Sequence, residues 1–92
     1  MSVFVDEAVW PWRGKLWCHM SADSMEELHE FANRLGLKRS WFQDAGGIPH
    51  YDLTESKRRQ ALAMGAVHLD DVREFTDRVR IAIGRKPMFR EP

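Results

Sequence analysis

Between Leu16 and Leu35 the hydrophobic pattern changes its period, and this limits the fold more than any other feature of the chain. Leu16, Cys18 and Met20 alternate with Trp17 and His19, a period of two that marks a strand with two unlike faces. Leu28, Phe31, Ala32 and Leu35 then recur at helical spacing, preceded by Ser24-Met25-Glu26-Glu27. That tetrad is a capping box, in which the serine hydroxyl accepts from the amide three residues on. Arg34 suits the last turn and Gly36 the stop. A strand that runs so directly into a capped helix points to a mixed α/β architecture.

The remaining segments extend this pattern. Val3-Phe4-Val5 reads as a short first strand ending at Asp6, separated from the second by a Pro11/Gly14 turn that permits antiparallel pairing. Residues 37–51 lack a sustained period and contain Gly46-Gly47 and Pro49, so they read as a loop of about fifteen residues. Thr54 caps a second helix that is basic outside, with Lys57-Arg58-Arg59, and apolar inside, ending at Gly65. Residues 66–69 suit a buried strand, placed parallel to the first so that Val3-Phe4-Val5 has a neighbour on each edge. Asp70 caps a third helix through Val72, Phe75, Val79 and Ile83, which Gly84 closes. The expected fold is therefore α/β, with elements in the order β-β-α-loop-α-β-α and a small three-stranded sheet flanked by helices. It forms one domain over residues 1–84, with a loosely held basic tail at 85–92. A competing all-α reading makes 54–83 a helix-turn-helix, but residues 65–70 are longer and more apolar than such a turn.

Composition narrows the function classes. With 14 basic and 14 acidic side chains, a chain driven mainly by bulk electrostatics toward nucleic acid or membrane is excluded. The charges are unevenly placed: six acids face two bases in residues 1–33, and twelve bases face eight acids in residues 34–92. One cysteine forms no internal disulfide, no apolar run reaches membrane-span length, and the N-terminus lacks the bases of a signal peptide. The expectation is a cytoplasmic protein.

Short catalytic motifs such as a Walker loop, H-E-x-x-H or C-x-x-C are missing. Carboxylates and imidazoles at strand ends remain. Asp6 closes the first strand at the sheet edge where α/β folds bind ligands, and its plainer role is a loop cap. His50-Tyr51-Asp52 offers imidazole, phenol and carboxylate in succession, with His50 and Asp52 on one face of an extended chain. His19 shares a strand face with Trp17, and Asp23 approaches it if the strand bends. Oxygen and nitrogen donors of this kind hold a divalent metal or move protons. Trp10 and Trp12 beside Arg13 and Lys15 either stack on bases or cover the core.

The segments V-F-V-D, W-x-W-R-G-K-L-W-C-H-M, S-M-E-E-L-H-E-F-A-x-R-L-G-L, W-F, H-Y-D-L-T and K-R-R-Q-A-L-A-M-G-A-V together resemble a family of short bacterial and phage proteins catalogued as a domain of unknown function. The resemblance runs from Val3 to about Asp71. It implies a bacterial or phage cytoplasmic origin and assigns no role to any residue.

The expected function is a metal-dependent hydrolase acting on a phosphate-containing ligand, a nucleotide or nucleic acid. Asp6 and Asp52 are the expected metal ligands and His19 and His50 the proton-moving residues. Tyr51, Arg58, Arg59 and Trp12 are the expected ligand contacts. The alternative is a non-catalytic module that binds nucleic acid or a bacterial protein through the tryptophan loop and the basic helix. Self-association fits an aromatic-rich chain of this size, with no surface singled out.

Overall fold

The computed structural model describes residues 2–8, 10–44, 48–69, 72–86 and 88. Its elements are β1 (Val3–Val5), β2 (Trp10–Trp12), β3 (Lys15–Ala22), α1 (Met25–Arg34), a 3-10 helix (Arg39–Trp41), β4 (Tyr51–Thr54), α2 (Glu55–Ala63), β5 (Val67–His68) and α3 (Val72–Ala82). The α/β class holds. The sheet, however, has five strands where three were expected, because β2 and β4 are strands as well.

The long β3 organises the sheet. Trp17 is opposite Trp10 on one side and Thr54 on the other, and Met20 is opposite both Val5 and Tyr51. Hence β1 and β2 lie end to end along one edge of β3, and β4 lies along the other. The expected antiparallel pairing of the first strand with β3 and its parallel pairing with β5 are both present. These β pairings replace the helix-turn-helix alternative. The β2–β3 hairpin closes on Arg13 and Gly14, whose φ values of 51° and 75° are the two positive angles of a tight two-residue turn. Proline kept β2 from reading as a strand. Pro11 is tolerated because β2 sits at the sheet edge.

One sheet face buries Val3, Val5, Cys18, Met20, Ala22, Tyr51 and Leu53 against Leu28, Phe31, Ala32 and Leu35 of the α1 segment and Ala61 of α2. Each large apolar side chain removed from water there contributes roughly 1.5–3 kcal/mol. Helix α1 begins as expected, with Ser24 Oγ accepting from the Glu27 amide at 3.2 Å. Helix α2 begins at Thr54 in the same way, its hydroxyl accepting from the Lys57 amide at 3.3 Å.

The opposite face is only half covered. Phe4 packs against Phe75, Val79 and Leu69, with the Phe4 and Phe75 rings edge to face at 5.1 Å. Farther along β3, His19 and Trp17 share this face and are both partly accessible. Strand β5 is less buried than expected: Val67 and His68 are exposed, and the flanking Ala66 and Leu69 carry the burial. A strand with one hydrogen-bonded neighbour, at the end of the sheet, has an open side. The expected Asp70 cap, the Gly46-Gly47 turn and the end of the tail, 89–92, lie outside the described residues.

Candidate metal centre

Strand register brings the site together. In the β3–β4 ladder His19 is directly opposite Asp52, so their side chains leave the sheet on the same face. Two residues before Asp52, His50 returns to that face by alternation, and a short bridge to Gln43 holds it there. One donor atom each from His19, His50 and Asp52 therefore lies within 4.8 Å of the others. The imidazole rings meet edge to face, their centroids 5.2 Å apart.

Asp6 fixes the orientation of His19. Its Oδ1 accepts from the His19 backbone amide at 2.6 Å and its Oδ2 faces His19 Nδ1 at 2.8 Å. The Asp6 amide donates to the His19 carbonyl at 3.2 Å, the usual half of an antiparallel pair. The other half is rerouted, because the Asp6 carbonyl accepts from Arg58 Nε at 2.8 Å. The His19 amide takes the carboxylate instead. An ionised carboxylate only accepts, so it selects the His19 tautomer with hydrogen on Nδ1 and a lone pair on Nε2.

The second imidazole is held in a parallel way. His50 Nδ1 lies 2.7 Å from the Ile48 carbonyl, an acceptor, so the hydrogen sits on Nδ1. His50 Nε2 then faces Asp52 Oδ1 at 3.3 Å. Gln43 Nε2 donates to the other oxygen, Oδ2, at 2.6 Å. Asp52 Oδ1 is buried, and no well-aligned donor reaches it. A neutral His50 thus points a lone pair at a carboxylate oxygen, an arrangement that calls for a proton or a cation between them. Burial alone lowers the His50 pKa, but the Asp52 carboxylate and the Ile48 carbonyl outweigh it and the net shift is upward. For Asp52, burial works upward and is outweighed by His50 and Gln43, so its carboxyl stays below the usual range. Metal-ligating histidines commonly donate their second nitrogen to a carboxylate or carbonyl, as both imidazoles do here.

The other candidates are distributed around this cluster. Tyr51 is 1% exposed on the opposite face, and its hydroxyl lies 2.9 Å from His29 Nδ1, so the structure does not bring it to His50 and Asp52. Cys18 also points into that core, where burial, followed by the Asp6 carboxylate, pushes its thiol up to about 12. Asp23 does not approach His19; it takes two bonds of 3.1 Å from Arg78 and one of 2.9 Å from the Ser2 amide. Arg59 is exposed on α2, near Lys15 and the hairpin turn. Trp12, 51% exposed, lines a cleft of about 640 Å³ whose wall includes Gln43 and Asp52. Trp10 stacks on Trp17 at 6.0 Å and tilts toward His19 at 5.6 Å.

One position in the cluster had no local signal: Gln43 sits in a stretch without periodicity, and its contact with Asp52 depends on the bridge to His50. Arg58, expected as a ligand contact, instead donates to the backbone carbonyl of Asp6, 52 positions away.

Comparison with other proteins adds a family and no activity. No curated protein and no solved structure matches the chain. The family model described as a protein of unknown function, DUF4031, matches residues 3–82, and the chain belongs to that family.

Proposed function

We propose that the protein is a metal-dependent hydrolase of a phosphate-containing ligand, with His19, His50 and Asp52 holding a divalent ion. The observation that carries this reading is the convergence of the three donors within 4.8 Å, with both imidazoles fixed through their second nitrogens. Two histidines and one carboxylate suit a first-row divalent metal, leaving positions open for water and substrate. Such an ion lowers the pKa of bound water toward neutrality, which supplies a nucleophile for hydrolysis. Asp6 in this reading orients His19 and is not a ligand, since both its oxygens are engaged by that residue. Arg58 positions Asp6, while Lys15 and Lys57 in the adjoining cleft supply the positive charge for phosphate.

Calorimetric titration of the metal-free protein with zinc and with manganese tests the centre. One ion binds per chain, and His50→Ala or Asp52→Ala lowers its affinity by well over about tenfold. Hydrolysis of p-nitrophenyl phosphate or its diester disappears in chelator and returns with metal. Binding that is unchanged in both variants removes the centre. The alternative, a non-catalytic binding module, draws support from exposed Trp12 and Trp41. It is favoured if the metal binds and no phosphoester is cleaved.

A further inference from the structure

We infer that the tryptophan cleft beside the metal centre takes a nucleoside phosphate, whose base lies against the indoles and whose phosphate points toward Asp52. This rests on the hydrolase reading and names the substrate class of that site. The cleft encloses about 640 Å³, within the range of small-ligand sites. Trp17 lines it, held by a bond of 2.9 Å from its Nε1 to the Trp12 carbonyl, with the Trp12 ring edge to face against it at 5.5 Å. Trp41, brought in by the 3-10 helix, adds a third indole that is 49% exposed. Indole faces favour a planar π system, and any nucleobase provides one.

The charge selects for phosphate. Lys15 and Lys57 line the cleft, and among the described residues Asp52 is the one acid that lines it. The Lys57 ammonium gives one bond to the Leu35 carbonyl at 2.6 Å, leaving further N–H groups to donate. Arg13 over the Trp12 ring at 4.5 Å and Lys38 over the Trp41 ring at 5.8 Å extend the positive charge. Asp52 belongs to both the cleft lining and the three-donor cluster, so the cleft adjoins the metal position through that one residue. In hydrolysis there, the oxygen of water forms a new bond to phosphorus and the ester P–O bond breaks. The departing nucleoside oxygen takes one proton of that water.

Calorimetry on the full chain in chelator tests the cleft apart from the metal, with the four ribonucleoside 5′-monophosphates, adenosine and inorganic phosphate as probes. At least one nucleotide is expected to bind tenfold or more tightly than either adenosine or phosphate alone. Trp41→Ala, at an exposed position, weakens that binding by tenfold or more while zinc affinity stays within twofold. Nucleotides that bind no better than phosphate, or equally well to Trp41→Ala, overturn the inference even if zinc still binds. Self-association that covers Trp41, with no nucleotide response, also overturns it. Nucleotide binding that depends on Trp41 in a protein that binds no zinc supports the ligand class and removes the hydrolase reading.

Discussion

Replacing Asp6 with asparagine keeps the size and shape of the side chain and exchanges one acceptor oxygen for a donor NH2. The carboxylate now accepts from the His19 amide at 2.6 Å and from His19 Nδ1 at 2.8 Å. In Asp6→Asn the amide oxygen stays with the backbone N–H, and the NH2 faces Nδ1. His19 satisfies it by moving its hydrogen to Nε2, so metal-free stability falls by only about 1 kcal/mol, or about 4–8 °C in a domain of this size. Metal binding then requires the original tautomer, which sets two N–H groups against each other. The lost charge-assisted bond costs about 1.5–3 kcal/mol, which corresponds to roughly ten- to hundredfold in affinity. That range agrees with the usual cost of removing a residue that supports a metal-bound histidine. Competition with a chromogenic chelator at pH 7.5 measures it. A zinc affinity within twofold of the parent, in a protein where His50→Ala abolishes binding, refutes control of the His19 tautomer by Asp6.

Arg58→Ala frees the Asp6 carbonyl to complete the ordinary ladder, loosening the carboxylate; zinc affinity is expected to fall about three- to tenfold, with Arg58→Lys intermediate, in the same competition assay. Metal-free stability depends on pH through the His50–Asp52 pair. The raised His50 pKa contributes stability that is full below its unfolded value of about 6.5 and is lost as pH rises through the folded value. The lowered Asp52 pKa contributes above about 3.8 and is lost as pH falls through the folded value, so the pair stabilises most between about pH 4 and 6.5. Zinc follows the opposite course, because it needs His50 deprotonated: its thermal stabilisation should grow from pH 5.5 to 8, and an equal shift at both ends would count against His50 as a ligand. Tyr51→Phe removes the hydroxyl that meets His29, costs about 0.5–1.5 kcal/mol in a denaturant melt, and leaves zinc affinity unchanged, since Tyr51 lies on the far face. Gly65→Ala, at φ 106°, destabilises by about 1–3 kcal/mol in the same melt, although open space surrounds the position.

Much of the fold is written locally in the chain. The capped helix after Ser24, the Thr54 cap of α2 and the glycine at the end of each follow from short-range hydrogen bonding and backbone freedom. The parallel neighbour of β1 follows from an apolar strand that needs two edges filled. Strand β2 was hidden by Pro11, and β4 by its position between an aperiodic segment and the Thr54 cap of α2, with Asp52 interrupting its apolar residues.

For the site, period-two alternation in the chain already assigns the faces: it puts His50 and Asp52 on one side and Tyr51 on the other, and separates His19 from Cys18. Which residues meet across strands depends on packing. A shift of β4 by one residue against β3 would have put Asp52 in the core and Leu53 beside His19, and nothing within either strand forbids that shift. Burial of Leu53 and Tyr51 against the core excludes that one-residue shift, since it would turn both side chains to the other face. The reach of Arg58 to the Asp6 carbonyl is likewise a product of packing α2 across the sheet, and it turns a ladder residue into the support of a histidine. Local patterns encode the orientation of a side chain, whereas a site built across strands depends on alignments that only the assembled core makes energetically distinct.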